Sequence, residues 1–186
     1  MTKLEKLHTF LFNTENPTVA QYKEIVEELS GLKLPDSCND FYIQPASTKF
    51  HGVHICGLAR HSLFVYYYAL KLAPAFNMKE EDIDPIACIF HDLCKVGMYD
   101  YDKHMAYTPK VSSDYITIQH GPETLRRLFH LGLTLSKAWE FAVAYHMGSF
   151  GLGPDAQRDY SKAVQKYPEV LLLHTADMMA SQLSNE

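Results

Sequence analysis

The apolar positions along the chain recur mostly at helical spacing. Leu4, Leu7 and Leu11 share one helical face, and the same period returns between Pro17 and Gly31. Proline is favoured in the first turn of a helix, and glycine is favoured just past its last turn. The pattern therefore predicts two helices at the start of the chain.

The stretch from Gly31 to Cys56 loses this period. It carries Pro35, Pro45 and Gly52 among small polar residues, which is typical of a loop that crosses the surface. We predict an ordered loop here. Its length is unusual for a segment without regular structure, and long ordered loops are often functional.

Helical spacing returns over most of the remaining chain. A tyrosine-rich polar connection over residues 98–119 is the main interruption, and no convincing strand pair, repeat or linker is apparent. The predicted helices cover residues 57–73, 84–97, a short segment from Pro122, a longer one capped by Thr134, a small piece at 161–166, and 168–186. We predict an all-α, single-domain bundle of seven or eight helices over residues 1–186, with helices in 1–40 packed on the region 41–186.

Composition and charge narrow the classes of partner. The 186 residues are enough for one core, and 17 basic against 22 acidic residues give a net charge of −5. We therefore expect no duplex nucleic acid partner. The four cysteines form no C-x-x-C pair, and there is neither an apolar leader nor an apolar run of about 18 residues. We expect a cytoplasmic protein with reduced thiols and no membrane partner.

Several of the ten histidines lie, with two aspartates, inside or beside predicted helices. A single histidine on an apolar helix is usually a core residue bonded to backbone, but a buried carboxylate needs a partner. Imidazole and carboxylate ligands suit Fe, Mn, Zn, Co or Ni, and facing helices of a bundle can assemble them. We predict a site for one or two such ions, with His61, His91, Asp92, His120, His146 and Asp177 as candidate ligands.

This order of residues resembles the HD-domain superfamily of metal-dependent phosphohydrolases. The resemblance runs from about Phe41 to the C-terminus, through the blocks "PASTKFHG", "GLARHSLFVY", "HDLCK", "QHGPETL", "AYHMGSF" and "LLLHTADMMA". These blocks are similar to a branch found in bacteria and their phages. The cyclic-dinucleotide phosphodiesterase branch is disfavoured, because Gly57 and Tyr145 stand where that branch has a glutamate and a histidine.

The resemblance implies an HD-domain fold and a division of the ligands between two ions. The first ion would be held by His61, His91, Asp92 and Asp177, and Asp92 would bridge to a second ion held by His120 and His146. Two adjacent dications lower the pKa of bound water and neutralise charge on phosphoryl oxygens. We therefore predict hydrolysis of a phosphoester of a nucleotide or related small molecule.

Two further groups of residues complete the predicted site. Lys95 follows Asp92 by three residues, so its ammonium could reach developing negative charge, and we assign catalytic roles to both. The loop before the first ligand offers hydroxyl, ammonium and imidazole groups for substrate binding, from Ser47, Thr48, Lys49 and His51.

Two alternative functions stay open, and several residues are assigned to packing, structure or solvent instead of the site. The alternatives to a hydrolase are an HD-fold oxygenase with a mixed-valent di-iron centre and a nucleotide-binding module without turnover. For Arg126 and Arg127 we favour a solvated helix face over a phosphate contact, and for Cys94 we favour packing. We assign the remaining histidines of the motif region to structure or solvent, namely His54, His104, His130 and His174.

Overall fold

The computed structural model describes residues 1–100 and 109–184, so His104 lies outside the described residues. Within them the chain forms eight α-helices, which confirms the predicted all-α bundle. The helices are α1 (Lys3–Asn13), α2 (Val19–Ser30), α3 (Gly57–Leu72), α4 (Pro85–Ile89), α5 (His120–His130), α6 (Lys137–Ala144), α7 (Pro154–Lys166) and α8 (Pro168–Leu183). Short 3₁₀ segments cover Asp36–Tyr42, Ala73–Phe76, Glu80–Asp82 and Leu93–Lys95.

The first two helices begin with the same capping arrangement. The Thr2 hydroxyl accepts a hydrogen bond from Glu5 N (3.1 Å), and the Glu5 carboxylate accepts one from Thr2 N (2.8 Å). Thr18 and Gln21 repeat this arrangement at the start of α2. Such reciprocal caps satisfy backbone donors that a helix start leaves unpaired. α2 then ends at Gly31, whose φ of 68° suits a glycine cap.

Helix α3 is the centre of the bundle. It is buried along almost its whole length and packs against α1, α4 and α8. The aromatic run that it carries is core, with Phe64 and Tyr66 fully buried. Because α8 lies along α3, His61 and Asp177 face each other from two long, well-packed helices.

The segment around His91 and Asp92 is not part of one continuous helix over 84–97, as was predicted. Helix α4 ends at Ile89, and the Leu93–Lys95 turn follows as a 3₁₀ segment. Between them Phe90 (φ −106°, ψ 18°) and Asp92 (φ −109°, ψ 23°) leave helical geometry. These angles belong to a sparsely populated region in which many active-site residues lie. The apolar periodicity continued through the break, so it gave no sign of it.

Other boundaries also differ from the predictions. Helix α5 begins at His120 instead of Pro122, and α6 begins after Ser136, so Thr134 is not its cap. A short antiparallel pair, β1 (Tyr99–Asp100) with β2 (Lys110–Val111), flanks the undescribed residues, although no strand pair was predicted. Pairing of two residues per strand is too short to produce an alternating sequence pattern.

Helix α7 is longer than the predicted piece at 161–166. It starts at Pro154 and is polar on most sides, with Ala163 as its buried residue. Because few of its residues are apolar, the apolar spacing marked only the segment around Ala163, which explains the short prediction. Among residues 1–100 and 109–184, no helix combines the length and apolar character needed to cross a bilayer.

Gly121 allows α5 and α6 to approach closely beside His120. A Cβ atom at this position would lie 2.3 Å from Ala144 O and 2.5 Å from Val143 O. We expect Gly121→Ala to lower the free energy of unfolding by about 1–3 kcal/mol, because backbone must move to relieve the overlap. Urea denaturation would measure the change.

The matched control for this substitution is Gly153→Ala. Apart from its chain neighbours and its own helix, no heavy atom of residues 1–100 and 109–184 lies within 4 Å of a Cβ built on Gly153, and its φ is −70°, which alanine adopts freely. Gly153 is the N-cap of α7, where alanine is less favourable than glycine, but alanine also lowers the entropy of the unfolded chain. The two effects oppose each other, so we expect a net change of only about a few tenths of a kcal/mol. Equal effects of the two substitutions would contradict a steric role for Gly121.

Candidate metal centre

Six predicted ligands from five parts of the fold converge on one buried cluster. His61 comes from α3, His120 from the first residue of α5, and Asp177 from α8. His91 and Asp92 come from the irregular turn after α4, and His146 lies two residues beyond α6. Among the described residues, three groups of side chains each have donor atoms that lie within 4.8 Å of one another. These groups are His61, His91 and Asp92; His91, His146 and Asp177; and Asp92, Cys94 and His120.

Asp92 lies between two sets of imidazoles. Its Oδ2 atom is 3.5 Å from His91 Nε2 and 4.0 Å from His61 Nε2. Its Oδ1 atom is 3.5 Å from His146 Nε2 and 3.8 Å from His120 Nδ1. Each carboxylate oxygen therefore faces a different pair of histidines.

Asp177 adds a second carboxylate on the Oδ2 side. Its Oδ1 atom is 3.1 Å from His61 Nε2 and 3.7 Å from His91 Nε2. The arrangement on this side is two imidazoles with two carboxylates, a donor set that suits a divalent transition metal.

The orientation of two imidazoles also fits a metal ion. His91 Nδ1 donates to Cys88 O (2.9 Å), and His146 Nδ1 donates to Val143 O (2.7 Å). These bonds fix the tautomer and direct the lone pair of each Nε2 atom into the cluster. Both Nε2 atoms are buried and have no hydrogen-bond partner in the described part of the chain. Buried acceptors without donors are what a bound cation would satisfy.

The surroundings keep both carboxylates ionised. Burial raises the pKa of Asp92, but attraction to Lys95 and His91 outweighs it and holds that pKa well below the ordinary value. Burial likewise opposes the charged form of Asp177, and its contacts with His61 and His91 lower its pKa in net effect. The cluster therefore presents two anionic groups at neutral pH, as binding of a dication requires.

Lys95 joins the cluster to the loop before α3. Its Nζ atom lies 2.7 Å from Asp92 Oδ2 and donates to Ala46 O at 2.7 Å. Burial lowers the pKa of Lys95, but the negative charge of Asp92 outweighs it and raises the pKa above its ordinary value. The ammonium is therefore charged and fixed beside the donor atoms. The predicted proximity to Asp92 is present, although a 3₁₀ turn produces it instead of an α-helical face.

The four residues predicted to bind substrate differ in their surroundings. The Ser47 hydroxyl accepts from the backbone N of Phe50 and His51 and donates to His51 O, so it shapes its own loop. Thr48 is half-buried and Lys49 is exposed. Their contact with substrate stays a prediction.

His51 lies against the metal cluster. Its ring centroid is 4.7 Å from that of His61, and both ring nitrogens are buried without a hydrogen-bond partner among the described residues. Burial, with repulsion from His61 and Lys95, lowers the pKa of His51 to about 4. A neutral imidazole therefore borders the site at physiological pH.

Three of the histidines assigned to structure or solvent lie among the described residues and have the surroundings expected of them. His54 and His130 are exposed, while His174 is half-buried. His174 Nδ1 donates to His146 O (2.6 Å) and so braces the segment that carries this candidate ligand.

The prediction of a solvated helix face is wrong for Arg127. Its Nη1 atom donates to Leu93 O (3.2 Å) and Val96 O (2.7 Å), and its Nε atom donates to Glu123 Oε1 (2.8 Å). Arg127 thus ties α5 to the turn that carries Lys95. A glutamate four residues before an arginine was the signal available in the sequence. Arg126 is half exposed and pairs only with Glu123 in the described chain.

The buried carboxylate of Glu123 should stabilise the fold in a pH-dependent way. Hydrogen bonds from Arg126 and then Arg127 outweigh burial and lower the pKa of Glu123 to about 2. We expect Glu123→Gln to lower the free energy of unfolding by about 1–3 kcal/mol at pH 7. Because the folded pKa lies below the ordinary value of about 4.3, the advantage of wild type should be complete above that value and be lost as pH falls toward the folded pKa.

Urea denaturation at pH 7 and pH 3 would measure this difference. Glu140→Gln is the control, because Glu140 is exposed on α6. A penalty for Glu123→Gln that stayed constant with pH would show that the charge of Glu123 is not what stabilises the fold.

Comparison with known proteins identifies a related family. The family model for the HD domain matches residues 58–181, a span that includes all six candidate ligands and Lys95. The loop with Ser47 and His51 precedes the matched span. No solved structure matches the chain.

Proposed function

This chain belongs to the HD domain family, a family of metal-dependent hydrolases, and on that basis we propose that it is a phosphohydrolase acting on a nucleotide or related small phosphoester. Its cofactor would be one or two divalent transition metals, from among Fe, Mn, Zn, Co and Ni. The observation that carries the proposal is the position of Asp92, whose two oxygens face two different sets of histidines. A carboxylate in this position suits a binuclear centre.

The proposed ligands of the first ion are His61, His91, Asp92 and Asp177, and Asp92, His120 and His146 would reach the second. When bound, the ions would supply Lewis acidity that makes a water nucleophilic near neutral pH and neutralises phosphoryl charge. The chain's own contribution is to aim the Nε2 atoms of His91 and His146 inward through the bonds from their Nδ1 atoms to backbone carbonyls.

Lys95 has a separate proposed role toward the substrate. An ammonium has three donors, and its contacts with Ala46 O and Asp92 use two of them. The third has no acceptor among the described residues, and in the proposal it donates to a phosphoryl oxygen or the leaving group. Because the ammonium is already fixed before the substrate arrives, its charge stabilises the transition state without the cost of reorganisation.

A cavity beside His120 suits the organic part of the substrate. It has a volume of about 250 Å³, and its walls include His120, Tyr145, Met147, Phe150 and Leu152. A mostly apolar pocket next to charged groups is the usual form of a small-molecule site. Phe150 is almost fully exposed at its edge, where it offers a flat surface on which a nucleobase could stack. These features support a phosphoester with a planar or apolar group.

The proposed location and partners rest on the cysteines and on the net charge. The four cysteines are free thiols, which fits a reducing compartment, so we expect the protein in the cytoplasm. The net charge of −5 fits a small-molecule substrate better than duplex nucleic acid.

The test is a panel of nucleotides and phosphodiesters offered to the purified protein after reconstitution with each of the five metals. We expect release of phosphate or nucleotide product that chelator removes and metal restores. Ligand binding without product under every metal would favour the binding module. Substrate-dependent uptake of O₂ with an Fe(II)/Fe(III) paramagnetic signal would favour the oxygenase.

A further inference from the structure

Cys94 places a thiol among the donor atoms on the second side of Asp92. Its side chain is fully buried, and its Sγ atom is 3.3 Å from His120 Nδ1 and 3.9 Å from Asp92 Oδ1. The remaining distance of this triangle, from His120 Nδ1 to Asp92 Oδ1, is 3.8 Å. A sulfur, a nitrogen and an oxygen donor atom thus lie within 4 Å of one another.

The size of this triangle fits a common metal ion. Metal-ligand bonds of roughly 2.0–2.3 Å at tetrahedral angles place neighbouring donor atoms about 3.3–3.8 Å apart. The three observed separations are 3.3, 3.8 and 3.9 Å, so small side-chain movements would bring all three atoms into range of one ion. Within residues 1–100 and 109–184, Cys94 belongs to such a group and Cys38, Cys56 and Cys88 do not.

The fold holds the backbone of Cys94 from two directions. Cys94 N donates to Thr124 Oγ1 in α5 (3.2 Å), and Tyr115 OH donates to Cys94 O (2.7 Å). Because Thr124 and His120 lie on the same helix, α5 fixes the thiol and its imidazole neighbour together. This double restraint differs from that of an ordinary core cysteine, which needs only apolar packing.

We propose that Cys94 is a further ligand of the second metal ion, in addition to Asp92, His120 and His146. The inference rests on the proposed metal centre and deepens it. On coordination the thiol would lose its proton to solvent and bind as thiolate. A thiolate favours Zn, Co or Fe over Mn at this position. The two ion sites would then differ in chemistry: nitrogen and oxygen donors at the first, and a mixed set with sulfur at the second.

The experiment is titration of the metal-free protein with Co²⁺, monitored by absorption. Cobalt bound to thiolate gives a charge-transfer band in the near ultraviolet, which nitrogen and oxygen ligands do not give. We expect the band to grow as a second equivalent binds. In Cys94→Ser it should be absent, and chelator competition should show affinity for that equivalent reduced by about tenfold or more.

Cys88→Ser is the matched control, because Cys88 is equally buried but lies outside the donor groups. It should keep the band. X-ray absorption of the zinc-loaded wild type gives a measurement that needs no variant, and it should show a sulfur neighbour at about 2.3 Å.

The outcomes separate the two proposals. Two bound equivalents of Co²⁺ with neither the band nor a sulfur neighbour would overturn the role of Cys94 and leave the proposed hydrolase intact. A band that survives in Cys94→Ser would also overturn it. Failure of wild type to bind any of the five metals would overturn the proposed function itself.

Discussion

Asp92→Ala should remove both bound metal and hydrolytic activity. Asp92 is the carboxylate that faces His91 and His61 on one side and His146 and His120 on the other, so its loss affects every proposed ion. Metal ions stabilise a phosphoryl transition state by several kcal/mol, and each 1.36 kcal/mol is a factor of ten in rate. We therefore expect the rate to fall by about 10³-fold or more.

Metal analysis after dialysis and a hydrolysis assay would measure both effects. Removing this carboxylate leaves the buried Lys95 ammonium without its partner, which destabilises the fold. Asp92→Asn keeps the shape and should also lose metal, so circular dichroism of both variants separates loss of ligand from loss of structure. Asp114→Ala, at an exposed aspartate, is the control. Full metal content in Asp92→Asn would contradict the assignment of Asp92 as a ligand.

Lys95→Met should lower the rate by about 10²–10³-fold, because one preorganised donor at a charged transition state contributes this much. The methionine side chain is similar in length, and the imidazoles and carboxylates stay in place, so metal content should be unchanged. Steady-state kinetics should show the loss mainly in kcat, since the ammonium acts on charge that develops during the reaction.

The comparison with Asp92→Ala is informative because the two residues are in contact but have different proposed roles. Asp92→Ala should lose metal and activity together, whereas Lys95→Met should lose activity and keep its metal. Lys110→Met is the control, because Lys110 is exposed on β2. Loss of metal from Lys95→Met would contradict a role toward substrate and would assign the lysine to holding the cluster together.

Much of the fold was predictable because its signals are local. The proline before α2, the Gly31 stop and the apolar repeats of α1 and α3 act within one or two helical turns. The candidate ligands were also found from the sequence, because a buried aspartate without a partner is costly and the motif order resembles a known family. The first half of the mostly polar α7 and the break at Phe90 were missed, since neither changes the local pattern of apolar residues enough.

The sequence by itself determined the helices and the residues that could form the site. The tertiary structure decided how those residues are used: that the chain unwinds at Asp92, that Arg127 bonds to Leu93 O and Val96 O, and that Cys94 faces His120. The physical reason is the distance along the chain over which each interaction acts. Propensity and capping depend on neighbours within a turn, whereas the direction of a buried side chain depends on packing between α3, α5, α6 and α8, which are distant in the chain.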